Sequence, residues 1–364
     1  MKNRVRKSLH FLEEGFDKIN AAFRNSHGYT GDVIIVPYRG YGNKEKIYFS
    51  GRVLKDRKIT KTAPEDGILN NILRMYKHFG SQELAGISIT ATWGHINEST
   101  HTDDEGYFHF ELPFLGKTDE NQLWHKFELK LTDELRFKVS QTIWVQVPVH
   151  ETTFGVISDI DDTILKTGAG NLLTAISNTF TKNADTRLSF PGVQQLYAGL
   201  QKGASPHAVN PMFYLSNSPW NLYDFLDEFI ELKNIPRGSI LLRDFGLDHK
   251  KMIFDDDHKL HTIEKLLLTY PEIPFILIGD SGEKDPEYYR QVVKEFPNRI
   301  AAIYIRDVSN EKRDKKLTDI VAEVETLGVP MLLMEDSYTA AAHAETMGWI
   351  DQEALELVQK AVQQ

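Results

Sequence analysis

The spacing of hydrophobic positions changes twice along this chain, and each change predicts a different kind of structure. In the first segment, apolar residues recur at three- and four-residue steps, as they do on one face of a helix. From about residue 31, short runs alternate apolar and polar residues, which is typical of half-buried antiparallel strands. The six runs are DVIIVPYRG, KIYFSGRVL, GISITATWG, GYFHFELPF, HKFELKL and TIWVQVPV. After residue 150, apolar runs alternate with helical stretches, which indicates a parallel sheet covered on both faces.

These patterns predict an α/β fold in which a β-sandwich-like domain precedes a parallel sheet. The β-domain is expected to be of Ig-like or transthyretin-like type, with a helical piece, GILNNILRMYKHFG, between two of its strands. The sequence shows no flexible spacer between the two domains, so they are expected to pack closely. The predicted segments are an N-terminal helical segment (1–30), the β-domain (31–150), the α/β domain (151–325), and a last strand with a helical tail (326–364).

Composition removes several classes of site and partner. The chain of 364 residues has no cysteine, which excludes disulfides, iron–sulfur clusters and thiolate zinc sites. Its formal net charge of −10 argues against a broad nucleic-acid-binding surface, so no nucleic-acid partner is expected.

The N-terminal segment bears on localisation. It lacks the uninterrupted apolar core of a secretory signal, and no run approaches the roughly 20 apolar residues that span a bilayer, so we expect a cytoplasmic protein. Four basic residues crowd the predicted first helix: Lys2, Arg4, Arg6 and Lys7. This helix either packs on a domain with a solvated basic end or lies on an anionic membrane as a weak peripheral contact.

Polar residues follow the predicted strands of the α/β domain, at the edge where parallel sheets bind ligands. The first of these strands runs into two carboxylates separated by one residue, an arrangement that is costly unless the charges are paired or bind a cation. A lysine opens the helix before the fourth strand. The residues in question are Asp159, Asp161, Ser216, Lys259, Asp280 and Asp285.

This set of groups suits phosphoryl transfer to a carboxylate. Asp159 would attack phosphorus, and Asp161 would protonate the leaving group and then deprotonate the hydrolytic water. The side chains of Asp159 and Asp280, with a backbone carbonyl at Asp161, would hold Mg²⁺, a cation that prefers oxygen ligands. Asp285 would support that shell.

Other polar residues nearby are expected to bind the phosphoryl oxygens. Ser216 and Lys259 would do so and neutralise developing charge, and Thr163 and Asn217 are further candidates for substrate contact. Three other lysines compete with Lys259 for this role: Lys250, Lys251 and Lys265.

The order of these motifs resembles the haloacid dehalogenase superfamily, with DIDDT, the Ser216 strand end, Lys259 and GDSGEKD as its four motifs. That resemblance implies a nucleophilic aspartate and a requirement for Mg²⁺. More narrowly, ISDIDDTI, FYLSNSPWNLYDFL, RDFG and FILIGDSGEKDPEYYRQVVKEFPNRIAAIYIRDV resemble the catalytic domain of the actin-patch-associated phosphatidate phosphatase family.

This narrower resemblance covers about residues 150–310, and PYRGYG with GRVL is similar to the upstream region of bacterial relatives. It implies dephosphorylation of phosphatidate to diacylglycerol, so a phospholipid is the expected substrate. The alternatives are a phosphatase for a soluble phosphomonoester and, from another class, a scaffold protein with an inactive phosphatase-like domain.

Three further features each allow two interpretations. The insertion KTGAGNLLTAISNTFTKNADTRLSFPG is either a packed helix and loop or a small cap over the site. The run from Asp255 to His261 is either a solvated loop with a helix start or a second metal site. Trp220 either contacts substrate or begins the next helix.

Overall fold

The computed structural model describes residues 33–55, 84–114, 122–131, 139–165, 190–205, 207–243, 257–308 and 311–364. The predicted N-terminal helix, the helical piece within the β-domain and the body of the insertion after Thr163 lie outside these ranges.

Seven strands of the N-terminal part form one sheet, in the order β4-β3-β6-β7-β1-β2-β5. Neighbouring strands are antiparallel except for a short parallel pairing of β1 with β7. The strands are β1 Val33–Gly42, β2 Lys46–Lys55, β3 Ser88–Trp93, β4 Ile96–His101, β5 Tyr107–Pro113, β6 Trp124–Leu131 and β7 Ser140–Gln146.

The prediction of a sandwich is wrong for this region, because the strands build a single, nearly closed barrel-like sheet. Its two end strands, β4 and β5, contact each other. Alternation shows which side of a strand is buried, but it cannot show which strands pair. Aromatic side chains fill the enclosed space, with Phe49 stacked on Phe110 at 5.0 Å and close to Phe127 at 5.5 Å.

Strand β4 was not predicted, since its sequence INESTH is polar. Most of its residues are exposed in the structure, so it carries little of the apolar alternation that identifies a strand. Its pairing with β3 alone places it in the sheet.

Six strands of the C-terminal part form the predicted parallel sheet, in the order β10-β9-β8-β11-β12-β13. The chain crosses to opposite sides of β8, as in doubly wound sheets, which bind ligands at the carboxyl ends beside such a reversal. The strands are β8 Gly155–Asp159, β9 Met212–Pro219, β10 Ser239–Arg243, β11 Phe275–Asp280, β12 Ile300–Arg306 and β13 Met331–Met334.

Helices cover both faces of this sheet, as predicted. Along β8, Val156 packs in a core with α1, α2, α6 and α7, whereas Ile157 packs in a core with α3, α4 and α5. The charged helix α5 was not among the predicted elements. The helices are α1 Val193–Lys202, α2 Tyr223–Leu232, α3 His258–Thr269, α4 Asp285–Glu295, α5 Glu311–Thr326, α6 Ser337–Thr346 and α7 Gln352–Val362.

A bulge in β1 between Tyr38 and Tyr41 brings the first sheet against the second. Gly40 lies within it, where an added Cβ would come within 2.5 Å of the Tyr48 carbonyl oxygen. Only glycine fits so close an approach of two strands. The PYRGYG motif is therefore explained by the shape of the strand.

The bulge directs two tyrosines into the cores of the parallel sheet. Tyr38 stacks on Trp220 with ring centroids 4.9 Å apart, and Tyr41 meets Phe213 edge-on at 6.0 Å. Trp220 begins a 3₁₀ turn, Trp220–Leu222, that leads into α2. The two sheets therefore share buried side chains, in agreement with the close packing expected from the sequence.

No helix among the described residues is long and apolar enough to cross a membrane.

Candidate active site

Three buried aspartates meet at the carboxyl ends of β8 and β11. Asp159 is the last residue of β8, Asp280 is the last residue of β11, and Asp285 begins α4. One carboxylate oxygen from each lies within 4.8 Å of the others. The structure thus brings together three of the four residues that the sequence predicted as metal ligands.

Close packing of α4 against β11 fixes this arrangement. A Cβ on Gly279 would lie 2.5 Å from Asp285 Oδ2, so only glycine lets this carboxylate approach the strand. Asp285 Oδ2 accepts a hydrogen bond from the backbone N–H of Asp280 at 3.3 Å. Asp280 Oδ1 in turn accepts one from the backbone N–H of Glu283 at 3.1 Å. These bonds tie the turn to the strand end.

The loop after β8 carries the predicted acid–base residue, Asp161. Ser216 at the end of β9 donates a hydrogen bond from Oγ to Asp161 Oδ2 at 2.7 Å. Thr163 Oγ1 donates to Asp159 Oδ2 at 3.2 Å. Asp162 between them has φ 53, a left-handed conformation that aspartate tolerates better than most residues. The predicted use of the Asp161 carbonyl as a metal ligand stays a prediction.

Lys259 reaches this cluster from the first turn of α3. Its Nζ lies 2.5 Å from Asp159 Oδ1, 2.8 Å from Glu283 Oε2 and 2.9 Å from Asp285 Oδ1, and its side chain is 3% exposed. Its rival Lys265 lies instead over the ring of Tyr48, at 4.8 Å from the centroid. Lys250 and Lys251 fall outside the described residues.

Two residues of the site were missed at the level of sequence. Glu283 Oε2 accepts hydrogen bonds from Lys259 Nζ and from Asn217 Nδ2, the latter at 3.0 Å. Arg306, buried at the end of β12, donates from Nε to the Thr163 carbonyl at 3.3 Å. Arg306 ends a strand of the same sheet, so the strand-end rule used for Asp280 could have found it.

Burial sets the protonation of these groups. It raises the pKa of Asp161 to about 6 and, together with the charge of Asp285, that of Asp280 to about 8. The pKa of Asp159 lies well above its usual range because of burial, although the Lys259 ammonium opposes the rise. Burial alone would lower the pKa of Lys259, but Asp159 and Asp285 outweigh it and hold this lysine charged.

The donor set fits a divalent cation with a preference for oxygen. Two buried oxygens, Asp161 Oδ1 and Asp280 Oδ2, accept no hydrogen bond from the described residues. Asp159 Oδ1 has its ion pair with Lys259 and accepts nothing further within that part of the chain. Buried carboxylate oxygens without partners are costly, and bound Mg²⁺ would satisfy those of Asp159 and Asp280, while the Asp161 oxygen would remain for proton transfer.

A second metal site in the run from Asp255 to His261 gains no support from the described residues. Among them, only the group of Asp159, Asp280 and Asp285 has the geometry to hold an ion. Asp257 Oδ1 accepts a hydrogen bond from Tyr288 OH at 3.1 Å, and its side chain is 52% exposed. Asp255 and Asp256 lie outside the described ranges.

Fold and site together define a doubly wound α/β protein with a buried acidic cluster and one lysine at the carboxyl edge of its sheet. Residues 154–307 match the family model for "Phosphatidate phosphatase APP1, catalytic domain". The matched segment contains every predicted site residue, from Asp159 to Asp285.

Two fungal proteins are similar to this chain. Phosphatidate phosphatase APP1 of Saccharomyces cerevisiae is 34% identical over 219 residues, which cover 55% of this chain and 36% of that protein. An uncharacterized protein of Schizosaccharomyces pombe is 29% identical over 271 residues, which cover 72% of this chain and 41% of its own. The similar region is thus about two fifths or less of either relative's length.

A solved structure from Bacteroides vulgatus covers 80% of this chain and 64% of its own at 10% identity. Its TM-score of 0.20 carries no argument about the fold.

Proposed function

We propose that this protein is a Mg²⁺-dependent phosphohydrolase of the haloacid dehalogenase type. It works through an aspartyl-phosphate on Asp159 and converts phosphatidate to diacylglycerol and phosphate. The observation that carries the proposal is the meeting of Asp159, Asp161 and Lys259 with Asp280 and Asp285. These five residues lie within the segment that matches the phosphatidate phosphatase catalytic domain.

In the first step, an oxygen of the Asp159 carboxylate attacks phosphorus, and the bond between phosphorus and the leaving alcohol breaks. Asp161 gives its proton to that alcohol. A pKa of about 6 suits Asp161 to this task, because the group can both hold and release a proton near neutral pH. The hydrogen bond from Ser216 orients its carboxylate.

In the second step, water attacks the phosphorus of the aspartyl-phosphate. Asp161, now a carboxylate, takes the proton from that water. Phosphate leaves, and the Asp159 carboxylate is restored. Thr163 holds the second oxygen of Asp159 during the cycle, and Arg306 holds the carbonyl of Thr163.

Charge on the phosphoryl group is balanced by cations at the same edge. Mg²⁺, held by Asp159 and Asp280 with Asp285 supporting the shell, would neutralise the phosphoryl oxygens. Lys259 and Asn217 bind these oxygens from the side of α3 and β9, since both point donors into the cluster.

Phosphatidate is proposed as the substrate because the segment that holds the site matches the phosphatidate phosphatase catalytic domain. The protein would then reach its lipid as a cytoplasmic enzyme with weak peripheral contact at a membrane. A soluble phosphomonoester is the second candidate, favoured by the net charge of −10, which opposes approach to an anionic surface.

The test is phosphate release with Mg²⁺ from phosphatidate in detergent micelles, measured beside a panel of soluble phosphomonoesters. Turnover of phosphatidate that Asp159→Asn abolishes supports the proposal. Turnover of a soluble ester with none of phosphatidate moves the assignment to the second candidate. Release from neither substrate above the Asp159→Asn background would favour a scaffold protein.

A further inference from the structure

The two groups proposed to bind phosphoryl oxygens already share an anionic partner. Lys259 Nζ and Asn217 Nδ2 both donate to the same oxygen of Glu283, at 2.8 and 3.0 Å. Lys259 comes from α3, Asn217 from β9 and Glu283 from the turn after β11, so three separate parts of the chain converge on this oxygen. A carboxylate oxygen held by an ammonium and an amide resembles a bound phosphoryl oxygen.

Glu283 differs from the other carboxylate partners of Lys259 in its exposure to solvent. Its side chain is 32% exposed, whereas those of Asp159 and Asp285 are 1% and 0% exposed. Asp285 also accepts a backbone hydrogen bond from Asp280. Asp159 and Asp285 therefore stay in place, and Glu283 has a route to solvent.

Only the side chain of Glu283 needs to move. Its backbone N–H donates to Asp280 Oδ1 at 3.1 Å, which keeps the turn attached to β11. Rotation of the side chain would free Lys259 and Asn217 without disturbing the aspartate cluster. Lys259 would keep two buried carboxylates, so it would remain charged.

We propose that Glu283 acts as an internal competitor, its carboxylate holding the phosphoryl-binding donors Lys259 and Asn217 until a phosphate group displaces it. This inference rests on the proposed function, because it takes these donors to be the phosphate site. A phosphate dianion beside an inward Glu283 would face like charge, so the two occupy the donors in alternation.

The consequence is a lowered apparent affinity for phosphate groups. A ligand that binds only one of two states binds more weakly by the fraction of molecules in that state. If the inward state of Glu283 exceeds the outward state by about ten to one, removal of the carboxylate tightens phosphate binding about tenfold. Weak retention of phosphate would favour release of the product after each turnover.

The experiment is calorimetric titration of inorganic phosphate into Mg²⁺-saturated full-length protein. It compares wild type with Glu283→Gln and Glu283→Ala, since alanine at a partly exposed turn position preserves the fold if glutamine does not. Glu287→Gln is the matched control, because it removes one negative charge four residues further on. Glu287 pairs with Lys316 on the surface, at 2.6 Å, and not with the site.

We expect the dissociation constant for phosphate to fall about tenfold in both Glu283 variants and to stay unchanged in Glu287→Gln. Unchanged or weaker binding in the Glu283 variants overturns the inference while leaving the phosphatase proposal intact. Equal tightening in Glu287→Gln also overturns it, because the effect would then be one of general charge. Absence of phosphate binding in every protein, wild type included, overturns the proposed function and the inference together.

Discussion

Two clusters of charge, one at the site and one between the first sheet and α2, balance their carboxylates in different ways. Lys259 contacts two fully buried aspartates and one partly buried glutamate. Arg39, in β1 of the first sheet, pairs with Asp227 and with Glu231 of α2, the latter at 2.9 Å. The Glu231 side chain is 47% exposed, so water shares its charge.

The difference separates a cluster suited to binding a cation from one that joins two parts of a protein. Around Arg39, the two carboxylates have two arginines, because Arg237 Nη2 also lies 3.0 Å from Glu231 Oε1, and the Glu231 carboxylate is partly in solvent. Around Lys259, the excess of negative charge is buried. Oxygens of Asp161 and Asp280 have no hydrogen-bond partner in the described part of the chain. A buried acidic surplus is therefore the better sign of function.

The largest expected effect is on the proposed nucleophile. Asp159→Asn should reduce kcat by about three orders of magnitude or more, because it removes the attacking charge at nearly constant volume. Arg39→Met, in the other cluster, should leave kcat per folded molecule within about threefold of wild type, because neither Arg39 nor its partners on α2 belong to the site. Steady-state rates with folded fraction checked by circular dichroism make the comparison. Retention of more than about a tenth of the activity by Asp159→Asn would exclude covalent catalysis at this residue.

The next effect concerns the cation. Chelation should abolish activity, and added Mg²⁺ should restore it. Asp280→Asn should raise the Mg²⁺ concentration for half-maximal rate by about tenfold or more, since it weakens an oxygen ligand. Calcium should bind yet support little turnover, because its longer and looser coordination misplaces the reacting groups. Full activity of metal-stripped protein would contradict the comparison between the clusters.

A third effect follows from protonation of the site. The pKa of Asp280 is raised to about 8, mainly by burial, so below pH 8 this carboxyl must lose a proton before Mg²⁺ binds. The dissociation constant for Mg²⁺ should fall by up to about tenfold per pH unit between pH 6 and 8, and level off above. Titrations of Mg²⁺ at several pH values, with the Asp280→Asn variant as control, measure the slope. A flat profile over this range would show that Asp280 is already ionised.

The same raised pKa makes the metal-free protein less stable as pH rises. The native state holds a proton on Asp280 that the unfolded state loses above pH 4, where its pKa is 3.8. Stability should therefore decline from about pH 4 to 8 in chelator, and Mg²⁺ should restore it most near pH 8. Denaturant titrations at fixed pH, with and without Mg²⁺, provide the measurement.

The smallest effect is on the cluster around Arg39. Arg39→Met should lower the free energy of unfolding by about 1–2 kcal/mol, less than a fully buried pair, because Glu231 is solvated and Asp227 is partly exposed. Asp227→Asn in the same molecule should recover part of the loss, since it removes the charge left without its partner. Chemical denaturation of the single and double variants tests both. If Arg39→Met is as stable as wild type, Arg39 does not help to hold the first sheet to α2.

The sequence was most informative where the chemistry depends on position in a strand. Asp159 and Asp280 were found because apolar runs end at them, and parallel topology brings such ends together. Ser216 followed from the same reasoning, whereas Lys259 was chosen because it opens the helix before the strand of Asp280. Glu283 was not found, because only the path of the turn after β11 shows that its carboxylate reaches Lys259.

The N-terminal sheet was predicted less well for a related reason. Alternation identified six of its seven strands, but strand pairing is a long-range choice that no local pattern contains. β1 pairs with β7 across about a hundred residues of chain, and the approach of β4 to β5 nearly closes the sheet. The alternation was therefore compatible with both a sandwich and a barrel-like sheet.

The bulge in β1 makes the catalytic segment depend on side chains from outside its own boundaries. Similarity to a family of catalytic domains starts at residue 154, yet Tyr38 and Tyr41 from far upstream complete both cores of the parallel sheet. A fragment cut at that border would expose the faces of Trp220 and Phe213 that these tyrosines cover. Transferred alone into another chain, residues 154–307 would therefore require a new pair of aromatic side chains to cover those faces.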